Sequence, residues 1–166
     1  ALFVANVAED EVATADNDNP YVQKVKAYAK EEGAEVVVVS AKAESEIAEL
    51  GDEDAKEFLA ELGLEQSGLD KLIKASFKLL GLITFLTAGV QEVRAWTITE
   101  GTKAPEAGGK IHSDIERGFI RAEIVSYDDL IAAGSQNAAK EKGQVRLEGK
   151  EYIMKDGDVT YFRFNV

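Results

Sequence analysis

The sequence predicts an α/β segment followed by an α+β segment, on two observations. The first is a pair of short apolar runs near the start, Leu2–Val7 and Val36–Val39, separated by one helix-length stretch. Continuous apolar runs of that length suit strands covered on both faces, and strand, helix, strand is a right-handed parallel crossover. The second is a change of pattern at Gly81. From there alternation replaces helical periodicity: in Glu92–Ile98, Val93, Ala95 and Thr97 take one face, and Arg94, Trp96 and Ile98 the other. The change divides the chain into two domains, residues 1–80 and 81–166.

Each element follows from local signals. Leu2–Val7 is read as a buried strand, and Asp10–Asn19 as a polar loop. Asn19-Pro20 starts a helix, with an N-cap side chain followed by proline at the first helical position. That helix runs to about Glu32 with Val22, Val25, Tyr28 and Ala29 inward, and Gly33 stops it. After Val36–Val39, helices are expected over Ala43–Leu50, after Asp52 with Phe58, Leu59 and Leu62 inward, and over Leu69–Leu80. The last of these link the domains. The second domain is read as strands Leu82–Thr87 and Glu92–Ile98 about a turn at Ala88-Gly89-Val90, then a loop Glu100–Gly108 and a helix Gly109–Glu116. Strand Phe119–Val125 follows, Ser126–Asp129 caps a short helix, and a polar segment Gly134–Gly143 leads to Val145-Arg146-Leu147. A closing hairpin pairs Tyr152–Met154 with Val159–Phe164 around Asp156-Gly157. Four or five strands with one main helix across them make a β-grasp arrangement.

Composition removes several kinds of chemistry. With no cysteine in 166 residues there are no disulfides, thiolate metal sites or cysteine nucleophiles. A cysteine-free chain suits a reducing cytoplasm. No apolar run approaches the ~20 residues of a membrane span. The lone histidine, His112, has no serine nucleophile or orienting carboxylate placed beside it, so it is read as structural. Asp52-Glu53-Asp54 reads as helix N-terminal charge, not a cation site. The net charge of −12 is uneven: residues 1–80 hold 8 Lys/Arg against 18 Asp/Glu, or −10, and residues 81–166 hold 11 against 13, or −2. All five arginines lie in the second half. An acidic chain is repelled by phosphate backbones at long range, so any RNA contact needs a local patch there. Arg94, Arg117 and Arg121 are the candidates, and Trp96 and Tyr161 are read as packing aromatics more readily than as base-stacking ones. Nothing in the chain points to reading DNA sequence.

The first domain carries half of a nucleotide site. The two parallel strands run into Asn6-Val7-Ala8-Glu9 and Ser40-Ala41-Lys42. Polar turns at such strand ends hold a base in P-loop proteins, yet no G-x-x-x-x-G-K-[ST] loop is present for the phosphates. The opening on a strand without a methionine points to a longer natural polypeptide. Such a piece exposes a sheet edge through which a dimer could form.

The longer motifs carry a resemblance. Gly89–Ile98, Gly109–Glu123 and Asp156–Val159 with Phe162–Val166 resemble the TGS domain of the YchF/Obg-like ATPases, and Asn6-Val7-Ala8-Glu9 resembles their N-x-x-E element. Ser40-Ala41, with Glu44 and Glu46, resembles the loop that follows it. The resemblance covers essentially the whole chain. It implies the closing portion of a nucleotide-binding domain with linker helices, then a β-grasp TGS domain, in a ribosome-associated protein that binds and hydrolyses ATP (GTP to a lesser degree) with Mg²⁺. The chemistry agrees with ATP. The Asn6 amide can accept from adenine N6–H2 and donate to N7, Val7 can lie along the ring, and backbone near Ser40 and Ala41 can close the other edge. An aspartate in place of Glu9 would suit guanine N1–H and N2–H2, but would face a lone pair on adenine. Catalytic residues and metal ligands are not expected here, and this chain alone is expected to hold nucleotide weakly and turn over none. The alternative is a stand-alone β-grasp module that binds protein or RNA.

Overall fold

The structure is a computed structural model that describes residues 1–89 and 92–166. It divides into two compact units, Ala1–Leu80 and Gly81–Val166.

The first unit is built on a parallel pair, β1 (Leu2–Asn6) and β2 (Glu35–Val39), in register from Leu2 beside Glu35 to Asn6 beside Val39. Between them lie a 3-10 turn (Glu9–Glu11), α1 (Ala15–Asp18) and α2 (Pro20–Glu31). The expected polar loop is therefore partly helical: Asp16 and Asn17 carbonyls accept from Gln23 Nε2 at 2.7 and 3.2 Å, and Ala15 is buried. Asn19 caps α2 as its sequence requires, its Oδ1 accepting from the Tyr21 and Val22 amides at 2.9 and 3.2 Å. α3 (Ala41–Ile47), α4 (Asp52–Glu61) and α5 (Gly68–Leu80) follow.

Side-chain alternation sorts the two faces of this small sheet. Val38, with Ala5 and Val7, packs against Ala15 and Val22 under α2. Val37 and Val39, with Leu2, pack against Leu72 and Ala75 of α5. β2 is thus covered on both sides. β1 is not the buried strand its composition predicts: Val4 is 49% exposed and Asn6 is exposed, because β1 pairs only with β2 among the described residues.

The second unit is a five-stranded sheet ordered β4-β3-β7-β5-β6: β3 (Leu82–Ala88), β4 (Val93–Thr99), β5 (Phe119–Ser126), β6 (Arg146–Glu148) and β7 (Asp158–Phe164). β3 and β4 pair antiparallel through Leu82–Thr99 and Ala88–Val93, while the expected turn between them includes Val90, outside the described residues. β7 runs parallel to β3 and antiparallel to β5. α6 (Ala104–Ile111) and α7 (Ser113–Arg117) cover one face over Phe85, Ile98, Ala122, Ile124 and Phe162. α8 (Tyr127–Ala133) and α9 (Gln136–Glu141) cover part of the other over Val125 and Val159.

Three expectations are corrected here. The loop Glu100–Gly108 contains the start of α6, with Pro105 in its first turn, and the single helix Gly109–Glu116 is two helices broken at His112. His112 is extended (φ −161°, ψ 141°), and its Nδ1 accepts from the Asp114 amide at 3.2 Å, which caps α7. Gly108 and Gly109 let the halves fold together, since a Cβ there would sit 2.6 Å from Ile115 Cγ2 and against the Glu116 carboxylate. The polar segment Gly134–Gly143 contains α9, capped by Ser135. Finally, Tyr152–Met154 makes no hairpin with β7. Ile153 bridges Lys103, Met154 is buried in the core, and β7 lies between β3 and β5, where its apolar face has more to cover.

Candidate functional site

The parallel register sets the first site. Asn6 lies beside Val39, and the Val7 amide donates to the Val39 carbonyl at 2.9 Å, so the two strands end level and their loops run side by side. Asn6 Oδ1 accepts from the Ala41 amide at 2.9 Å, clasping one loop to the other across 35 positions of sequence. Its Nδ2 makes no hydrogen bond among the described residues. Ser40 is 1% exposed and caps α3, its Oγ facing the Ala43 amide at 3.5 Å. The Glu9 carboxylate turns to the Lys42 ammonium, whose pKa is pushed up by that hydrogen bond and by the charges of Glu9 and Glu46. Val7 is half-buried against Ala15, Val22 and Val38. Asn6 and Val7 line a cleft of about 450 Å³ with Glu11, Asn19 and Tyr21, while Glu9 and Lys42 line a second of about 550 Å³ with Asp10 and Leu62.

Behind this pair of loops, the partners of Glu44 and Lys42 escape sequence reasoning. Glu44 and Glu46 sit on α3, within the helix expected over Ala43–Leu50. Glu44 Oε1 and Oε2 accept from the Gly68 and Leu69 amides at 2.7 and 3.0 Å, so Glu44 caps α5 from another helix. Lys42 holds Glu9 from the opposite loop. Neither pairing has a local signal, because the partners meet only once β1 and β2 are in register.

The three candidate arginines are not brought together. Arg94 stacks over the Trp96 ring at 4.2 Å, on the helix-covered side of β4. Arg117 is tied to Asp114 at 2.8 Å at the end of α7. Arg121 is exposed on β5, opposite Arg163 of β7, and pairs with no carboxylate among the described residues. Trp96 has the Arg94 guanidinium over its ring and a near-parallel Phe85 ring 6.5 Å away between centroids (17° apart), and its Nε1 donates to Thr87 Oγ1 at 2.9 Å, so it is partly buried by packing. Tyr161 is 51% exposed with Arg163 over its ring at 4.5 Å. Among the described residues no group of His, Cys, Asp and Glu is placed to hold a metal ion, and no helix is long and apolar enough to cross a membrane.

These features describe a mixed α/β chain in which a clasped pair of parallel strand ends precedes a five-stranded mixed sheet. It belongs to the YchF-GTPase_C family, described as a protein of unknown function (DUF933), which matches residues 82–165. The chain is 64% identical over 165 residues to "Ribosome-binding ATPase YchF" of Bacillus subtilis (strain 168), covering 99% of this chain and 45% of that protein. It is 43% identical over 166 residues to "Obg-like ATPase 1" of Rattus norvegicus, covering 99% of this chain and 41% of that protein. The fold matches the Schizosaccharomyces pombe YchF GTPase with a TM-score of 0.86 at 34% identity, over 98% of this chain and 43% of that one. The chain thus spans under half the length of the relatives it matches.

Proposed function

We propose that this chain supplies the base-recognition wall and the interaction domain of a ribosome-associated protein that binds and hydrolyses ATP with Mg²⁺. Residues 1–80 are then the closing part of the nucleotide domain with its linker helices, and residues 81–166 a β-grasp TGS domain. The Asn6–Ala41 hydrogen bond carries this reading, because it fixes the two loops that would flank a purine and leaves Nδ2 available as a donor. Asn6 Nδ2 would donate to purine N7, Val7 would line the ring, and the backbone after Ser40 would close the far edge. With Glu9 paired to Lys42, no carboxylate is left to accept from guanine N1–H and N2–H2, which favours adenine. Bound ATP would supply the phosphoanhydride and Mg²⁺ its charge neutralisation, while this chain's residues select and orient the base. The relatives' names support the ribosomal partner and the nucleotide.

The test is a chimaera in which this chain replaces the matching segment of the Bacillus subtilis relative. Isothermal titration should show ATP bound more tightly than GTP, and Asn6→Ala should weaken ATP by about 10- to 100-fold, as expected for a lost hydrogen bond and loop clasp. Glu9→Asp should narrow the gap in favour of GTP. Equal affinities that neither substitution changes would end the proposal. The 166-residue chain by itself should release no phosphate from ATP.

A further inference from the structure

We propose that the outer edge of β2 takes an added strand from a partner protein, an extended segment in which acidic and apolar side chains alternate. β2 pairs only with β1 among the described residues, so its other edge is open. The Val7 amide donates to the Val39 carbonyl, so Val39 and, by alternation, Val37 turn their main chain toward β1. Val36 and Val38 therefore turn theirs outward. An edge of this kind is commonly blunted by charge, proline or a bulge. Here it is recessed instead: Val37 and Val38 are 7% and 8% exposed although they lie on an edge strand. A cleft of about 580 Å³ runs along Glu35–Val38, between Val12, Ala13 and Asn17 on one side and Leu64, Lys71 and Lys74 on the other. Main-chain pairing in such a slot supplies affinity, and the walls supply selectivity. The pleat sets the partner's pattern. Val37 and Val39 face α5 and Val38 faces α2, so successive side chains of an added strand turn to the lysines of α5 and to Val12 and Ala13 in alternation. Among the described residues Lys71 is in no ion pair, and Lys74 Nζ meets no carboxylate, donating to Gln66 Oε1 at 2.6 Å. Lys78 is held by Glu35 at 3.1 Å, and Asp16 on the opposite wall by Lys26 at 2.9 Å. Two cations without a carboxylate, in a unit whose net charge is −10, fit acidic side chains on the α5 side. The unit's own charge repels an acidic segment at a distance, but salt at 0.1 M screens that repulsion beyond about 10 Å and leaves contact pairs largely intact. A second copy fits less well, because its own β2 edge is equally recessed and flanked by the same lysines. The rest of a longer nucleotide domain belongs at β1, where Val4 is 49% exposed and still lacks cover.

The probe is a fluorescein-labelled, end-capped peptide of about eight residues in which glutamate alternates with valine and threonine, long enough to span the slot. It is titrated by anisotropy with the whole 166-residue chain at 0.1 M salt. Saturable binding is expected, and N-methylation of alternate peptide amides should abolish it, since main-chain pairing then fails. A matched peptide with lysine in place of glutamate should not bind. Lys71→Glu combined with Lys74→Glu should weaken the acidic peptide at least about tenfold and admit the lysine peptide, an exchange that a misfolded variant would not give. Val36→Pro removes one outward donor, at the kind of edge position where proline is tolerated, and should weaken the acidic peptide while circular dichroism stays unchanged. Lys56→Glu, on α4 and outside the slot, should leave affinity as it was. Absence of binding overturns the proposal, as does binding that N-methylation leaves intact or a double lysine reversal that changes neither peptide's affinity. Binding by the 166-residue chain that disappears in the chimaera with the Bacillus subtilis relative overturns it too, because the longer protein then fills the slot itself. Dimers that the acidic peptide dissociates would assign the edge to a second copy and likewise remove the partner.

Discussion

Gly68 shows how tightly the first site is braced by a residue that never approaches it. An added Cβ would stand 2.8 Å from Val39 Cγ1 and 2.9 Å from Glu44 Oε1, so the α5 start is pressed onto the strand leading into Ser40. Val39 is β-branched and held in the β1–β2 ladder, so it cannot swing aside, and overpacking of this kind costs about 1–3 kcal/mol. Gly68→Ala should therefore lower the unfolding free energy by that amount, read in urea as a lower midpoint with the slope unchanged, despite alanine's better helix propensity. In the second unit, Glu123 supplies a pH-dependent contribution. The Arg163 hydrogen bond, then Lys140, hold its carboxyl below the usual 4.5, against the opposing effect of burial. A depressed folded-state value stabilises above the unfolded one and is lost as pH falls through the folded one. Glu123→Gln should thus be less stable than the parent near neutral pH, and the two unfolding curves should converge as pH drops below about 4.5.

At the scale of elements, what the sequence disclosed depended on whether the determining contact is local. Asn19-Pro20 marked α2, and Ser126 marked α8 through its side chain at 3.2 Å from the Asp129 amide, because caps act within three residues. Continuous valines marked β2 correctly because both its faces find cover within the chain. The same logic misjudged β1, whose apolar composition matches a covering that the described residues do not provide. α9 was hidden since Gln136–Glu141 buries only Ala139 and shows no apolar stripe. The supposed hairpin before β7 failed for another reason. Asp158 is 2% exposed and accepts from Tyr152 Oη and the Lys155 amide, both at 2.9 Å, with Arg146 at 3.6 Å. Burial and that carboxylate push the Tyr152 phenol up to about 12. Asp156 and Asp158 thus tie a loop, Asp156 Oδ1 accepting from the Thr84 amide at 2.7 Å, where alternation alone suggested a turn between paired strands. Around the loop pair the same division holds: the polar strand ends at Asn6 and Ser40 are written in the sequence, whereas the pairings of Glu44 with the α5 amides and of Lys42 with Glu9 carry no local signal, because the partners meet only in the folded register.

For the whole molecule, the two units differ in how much holds each together, and the difference can be measured. The second unit has a continuous cluster from Phe85 to Phe162, with ten buried members. The first unit divides its core between two clusters of three buried residues each on opposite faces of a two-stranded sheet. Two strands are marginal without cover, and here the outer edge of β1 and half of Val4 are left to solvent. The same unit carries −10 of the −12 net charge, so self-repulsion acts on the weaker core. Native-state hydrogen exchange should therefore release β1 and β2 amides well before those of β5 and β7. Raising salt from 20 to 500 mM shortens the screening length to a few ångströms and should slow exchange chiefly within residues 1–80. An open edge also gives a second copy something to pair with, and repulsion between acidic units is what opposes it. Protection of Leu2–Asn6 should accordingly rise with protein concentration at high salt and cease to do so in Val4→Lys, which puts a charge on that edge. Equal protection of the two sheets at every salt and concentration would mean that core size and charge do not set the order in which this chain opens.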